Sequence, residues 1–181
     1  MTPFITAEHL HVLLNHVPLI GLAFAGIPLL FALITRQRPA LWVGLIMVLV
    51  SVAALPIVME SGEEAFERFV EGEVPGGLDA GGQAWMADHE ERAERAAVLI
   101  YITAAAALAG MGILWKWPRA ERAVAAVMLA LCAISIAAMT WVAAAGGRIR
   151  HPEFRPPDQP VTLGERSRGT WGDRVREQDS R

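Results

Sequence analysis

The sequence has a single cysteine, Cys132, so it can close no disulfide within the chain and offers no cysteine-based metal site. Cys132 itself reads as a small apolar filler. Charge is also scarce. Asp, Glu, Lys and Arg make up 19% of the residues, and the stretches 17–34, 40–59, 96–115 and 123–147 contain none of them, nor any histidine. A helix needs about 20 apolar residues to cross a hydrocarbon core about 30 Å thick. Lipid offers no hydrogen bonds to the backbone, so such runs must be helices. Also missing are a glycine-rich phosphate loop, a Walker sequence, a nucleophile elbow and a basic nucleic-acid patch, which removes those chemistries and nucleic acid as a partner. The opening "MTPFITAEH" has no Lys or Arg and no small-residue cleavage site follows it, so the first stretch is read as a retained span rather than a signal peptide.

What is present is an all-α chain expected to form a four-helix transmembrane bundle in the lipid bilayer. The turns "TRQRP" and "KWPRAER" are short, which predicts an up-down-up-down order. The connection over 60–95 is long. Its first part, "ESGEEAFERFVEG", continues a helix out of the membrane, and "EVPGGLDAGG" reads as a flexible break. "ADHEERAERA" then starts the third helix with Asp88 as its N-cap. The transmembrane domain is placed at 1–153 and an extended Arg/Pro-rich tail at 154–181, its last twenty residues expected to be disordered.

The two turns carry Arg36, Arg38, Lys116, Arg119 and Arg122 against one acid, Glu121. The central connection carries eleven acids against Arg68, Arg92 and Arg95. The positive-inside rule then puts both turns in the cytoplasm and both termini outside it, which in a bacterium means the inner membrane. Trp42, Trp115, Trp117 and Trp141 fall near span ends as an interfacial belt. The alanine-rich run 123–147 predicts close helix packing, within the bundle or against a partner.

With that topology all five histidines, His9, His11, His16, His89 and His151, collect at one membrane face. Glu60, Glu63, Glu64, Glu67, Glu90 and Glu153 join them. "HLHVLLNHVP" supplies three of the histidines. On a helical wheel His9 and His16 share one face and His11 and Asn15 another, with His11 and His16 about 140° apart. Pro18 disfavours helical geometry at Val17 and fits the first turn of a helix starting near His16. The two glycines of "GGRIRHPE" are expected to turn the chain over the bundle mouth, bringing His151 and Glu153 back to it.

Histidines and carboxylates from facing helices can build two kinds of site. A bis-histidine haem b needs imidazoles at matching depth on opposite helices. His16 with His89 is the pair expected from depth, with His11 and His151 as alternatives. A non-haem Fe, Cu or Zn ion would draw on His11, His16, Glu63, Glu64, His89, Glu90 and His151. Glu8-x-x-His11 also has the spacing used in carboxylate-bridged dimetal bundles. Against both stands a solvated glutamate stripe paired with Arg68, Arg92 and Arg95.

Taken together, "LHVLLNHVP", "SGEEAFE", "HEERAERA" and "GGRIRHPE" resemble a family of small bacterial four-helix membrane proteins with the motifs H-x-x-x-N-H-x-P, G-E-x-A-E, H-E-x-x-A and G-G-x-I-R-H-P-E. The first helix is also similar to a membrane-protein family with paired histidines before a proline, associated with haem. The resemblance spans 9–153. It implies that His11, His16, Glu63, His89, Glu90 and His151 are the motif positions, with the second acid of "SGEEAFE" at Glu64 or Glu67. The expected function is a redox module exchanging electrons with a quinone or a larger membrane complex. The alternatives are a non-catalytic subunit of such a complex and a transition-metal handling protein.

Overall fold

The computed structural model describes residues 5–74 and 77–156. Six helices make up the bundle: α1 Ala7–Leu14, α2 Val17–Thr35, α3 Arg38–Ala53, α4 Leu55–Val70, α5 Ala80–Lys116 and α6 Glu121–Arg150. Pro118–Ala120 and Pro152–Phe154 form single 3₁₀ turns, and no strand occurs among the described residues. α1 with α2, α3 with α4, α5, and α6 with the turn before it give four rods, each long and apolar enough to cross a membrane. Their outer surface is apolar, with Phe24, Ile27, Phe31, Ile46, Ile102 and Ile134 exposed, as a lipid-facing surface requires.

Proline sets the helix boundaries. Pro18 lies in the first turn of α2 and Pro39 in that of α3, where a missing N–H costs nothing. Pro56 lies in the first turn of α4, and the α3–α4 rod is broken just ahead of it, at Ala54. Pro118 follows α5 and forces the reversal into α6. At 1.5 Å per residue the 37 residues of α5 span about 55 Å, well beyond a hydrocarbon core. Its charged first half, up to Arg95, therefore projects past the apolar layer.

α2 packs on α3 and α6, α5 on α6 and α3, and α1 on α4. Gly21 faces Ser51 while Gly44 faces Leu29, so α2 and α3 run in opposite directions with backbones close together. α5 and α6 also run oppositely: Gly110 faces Val124, Thr103 bonds Ser135, and His89 bonds Val142. Leu22, Leu29, Leu41, Leu45, Ile100 and Met128 fill the core, and Cys132 sits there as a buried free thiol. Within that layer Thr103 and Ser135 form a polar pair, 2.9 Å apart and both fully buried.

Three expectations about chain breaks are corrected. Asp79, not Asp88, caps α5: its carboxylate accepts from the Gly82 N–H at 3.0 Å. Asp88 lies inside the helix and pairs with Arg92 at 2.8 Å. The Gly81–Gly82 pair belongs to the first turn of α5 rather than to a flexible break, because it lies against the end of α6. A Cβ on Gly82 would come 2.7 Å from the Ile149 carbonyl oxygen. Likewise Gly146 and Gly147 stay helical, since α6 continues to Arg150, and Gly146 instead leaves room for the His89 ring. The tail from residue 157 onward, including its expected disorder, lies outside the described residues.

Candidate functional site

Two of the five histidines meet. Thr6 caps α1, its hydroxyl accepting from the His9 N–H at 3.5 Å, and this phase of the helix turns Ala7 and His11 toward α4. The His11 Nδ1–H donates to the Val58 carbonyl of α4 at 3.0 Å. On the other side of the bundle the His89 Nδ1–H donates to the Val142 carbonyl of α6, also at 3.0 Å. The two ring centroids are 6.4 Å apart with their planes at 86°.

A carbonyl oxygen can only accept, so each Nδ1 must carry the proton. In the neutral imidazole that leaves the Nε2 lone pair free, the state in which histidine ligates a metal. A ligating histidine commonly donates its other ring N–H to a carbonyl in this way, which fixes tautomer and orientation. Glycine makes both placements sterically open. A Cβ on Gly62 would lie 2.9 Å from His11 Nδ1 and Cε1, and one on Gly146 would lie 3.1 Å from the same atoms of His89.

His16 does not take the place expected of it. α1 ends at Leu14, and His16 stands exposed at the N-cap position of α2. His151 also stays outside: its Nδ1 bonds the Glu153 carboxylate at 3.0 Å and its ring lies against Phe154 at 5.0 Å, half exposed at the end of α6. His9 is exposed and bonded to the Thr6 hydroxyl at 2.9 Å.

The glutamates of α4 face outward. Val58, Ser61 and Ala65 form its buried side, so Glu60, Glu63, Glu64 and Glu67 fall on the exposed side. The expected arginine partners are engaged elsewhere: Arg68 with Glu8 at 3.0 Å and Glu73 at 3.2 Å, Arg92 with Asp88, and Arg95 with Glu91. Glu90 is half-buried on α5. Among the described residues no three His, Cys, Asp or Glu side chains gather as a metal ligand set. The seven-residue metal set is therefore not assembled, and in Glu8-x-x-His11 the carboxylate pairs with Arg68 while the imidazole bonds the Val58 carbonyl.

Sequence reasoning missed what surrounds His89. Arg92, one turn along α5, donates to the Trp141 carbonyl at 3.1 Å, so it and His89 hold adjacent carbonyls of α6. Its side chain is 15% exposed, with the guanidinium 4.5 Å from the Trp141 ring centroid and 5.7 Å from that of Trp85. Arg148 covers Trp85 at 4.5 Å. Trp141 thus supports a cation near the pair besides any interfacial role. The i,i+3 spacing of His89 and Arg92 was visible, but not the α6 ring that receives the guanidinium.

The same end of the bundle is closed by Arg155. Its guanidinium forms a two-pronged pair with Asp79, with Nη2 2.9 Å from Oδ1, and donates to the Arg148 and Ile149 carbonyls at 2.8 and 2.9 Å. It therefore satisfies two of the open carbonyls at the end of α6 and ties them to the cap of α5. The Arg155 hydrogen bonds, and next the Gly82 N–H, hold the Asp79 carboxyl below the usual carboxylate range. Comparison with protein-family models, curated proteins and solved structures finds no match to this chain.

Proposed function

We propose that this chain is a membrane redox module in which His11 and His89 would hold a haem b through their free ring nitrogens. The observation that carries the reading is the pinned pair: two imidazoles with Nδ1 committed to carbonyls and ring centroids 6.4 Å apart. A bare transition metal generally takes more protein ligands than two, whereas haem asks for only the axial pair. Two histidines without a third thus fit haem better than Fe, Cu or Zn alone. When bound, the haem supplies one-electron exchange. The chain's own residues hold the tautomers through Val58 and Val142, keep space at Gly62 and Gly146, and fix a cation at Arg92.

The electron partner is proposed to be a quinone in the bilayer or a larger membrane complex. The histidine end would face away from the cytoplasm of a bacterial inner membrane, because Arg36, Arg38, Lys116, Arg119 and Arg122 crowd the opposite turns. Purification from haem-replete cells tests the reading. A haem absorption band at one haem per chain, lost in His11→Ala and in His89→Ala, is expected, and a colourless preparation would sink it. One observation favours a second reading, a non-catalytic subunit: Ala126, Ala130, Ala133 and Ala137 form an exposed stripe along α6 against which another helix could pack. Such a subunit would co-migrate with an assembly on a native gel and carry no cofactor. Elemental analysis of the same sample separates the third alternative, transition-metal handling.

A further inference from the structure

We infer that Arg68 is the positioning residue that seats His11, by clasping α1 onto α4 through Glu8. The inference rests on the reading of His11 and His89 as a ligand pair. α1 has eight residues and leaves the rest of its rod at the break over Asn15 and His16. Isolated helices shorter than about 12 residues are marginal on their own, so α1 takes its place from what it packs on, chiefly α4.

The apolar part of that contact is thin. Ala7 is the one buried residue of α1, and Val12 and Leu13 point outward. Polar ties do the rest, and two of them cross to α4: the His11 bond to Val58 and the ion pair of Glu8 Oε2 with Arg68 Nη1 at 3.0 Å. The two charged side chains are only 22% and 29% exposed. Without the guanidinium, a partly buried carboxylate would lose its counter-charge, which is costlier than losing a fully exposed pair. Lifting α1 at the Asn15 break returns Glu8 to solvent. His11, three residues along the same face, leaves with it. Arg68 is itself steadied from the far side by Glu73, 3.2 Å from its Nε.

The test uses the full chain in lipid nanodiscs. Hydrogen exchange of amides 7–14 in the haem-free protein reads the docking of α1, and the ferric spectrum of the loaded protein reads His11 coordination. Arg68→Glu and Glu8→Arg, each alone, are expected to speed that exchange about tenfold. They are also expected to convert a six-coordinate low-spin spectrum into a five-coordinate high-spin one that added imidazole reverses. The double exchange Glu8→Arg with Arg68→Glu should restore both readouts, and Arg68→Lys should retain them. Arg68→Met removes the charge while keeping length, in case a reversal does not accumulate. Unchanged exchange and spectrum in Arg68→Met, or no recovery in the double exchange, overturns the inference. A wild-type protein that takes up no haem overturns the ligand reading instead, and the exchange arm still decides the clasp.

Discussion

Gly62→Ala probes the pinning of His11 through a single methyl group. The added Cβ would sit 2.9 Å from both Nδ1 and Cε1 of the ring, closer than side-chain carbons come to such atoms. The ring cannot drift aside freely, because its Nδ1–H is held by the Val58 carbonyl at 3.0 Å on the same helix. Overpacking of this kind costs about 1–3 kcal/mol. Losing the hydrogen bond would cost about 1 kcal/mol. Better helix propensity returns up to about 1 kcal/mol. The expected net loss is therefore about 1–3 kcal/mol. Gly112→Ala in α5 is the matched control, since a Cβ there meets no atom within 4 Å and only the propensity gain remains. Unfolding in detergent micelles, followed by circular dichroism, compares the two variants. Equal stabilities for Gly62→Ala and Gly112→Ala would refute the account of how His11 is held.

Gly82→Ala should destabilise by a similar 1–3 kcal/mol, because its Cβ would meet the Ile149 carbonyl at 2.7 Å, a backbone atom that cannot step aside. Thermal unfolding of that variant checks it. Thr103→Val and Ser135→Ala should show a coupling energy of about 0.5–1 kcal/mol in a double-mutant cycle, the worth of one interhelical hydrogen bond in lipid. The Asp79 carboxyl is held low in the folded protein, so its contribution is present above the ordinary aspartate pKa of about 3.9 and is lost as pH falls through the folded value. With the intrinsic pH dependence of exchange divided out, the protection of amides 148–155 should therefore stay high at neutral pH and fall only in acid, while Asp79→Asn should show low protection throughout.

The four rods were legible because apolar length is a local property: a run such as 96–115 announces a span whatever it packs against. Helix phase was harder to read. Which histidine of "HLHVLLNHVP" turns inward depends on where α1 starts, at the Thr6 cap, and where it stops, before Asn15. Depth alone pointed to His16, yet the break leaves that residue outside. Glycine was visible at 62, 82 and 146, but the sequence does not say what lies opposite each one. At 82 and 146 it therefore suggested a break and a turn where the structure has close approaches. The Asp79–Arg155 and Glu8–Arg68 pairs join residues far apart in the chain and follow no local period. The α4 glutamates were correctly placed at the histidine end, but the opposite, buried side of that helix is the one that meets His11.

The central claim, that His11 and His89 share one iron, is met most directly by electron paramagnetic resonance of the ferric protein. The account predicts one low-spin ferric haem signal, as two imidazoles held on one haem iron would give. That signal should vanish in His11→Ala and in His89→Ala and persist in His16→Ala. Absence of a low-spin haem signal in the wild type, or its survival in His11→Ala, would contradict the account.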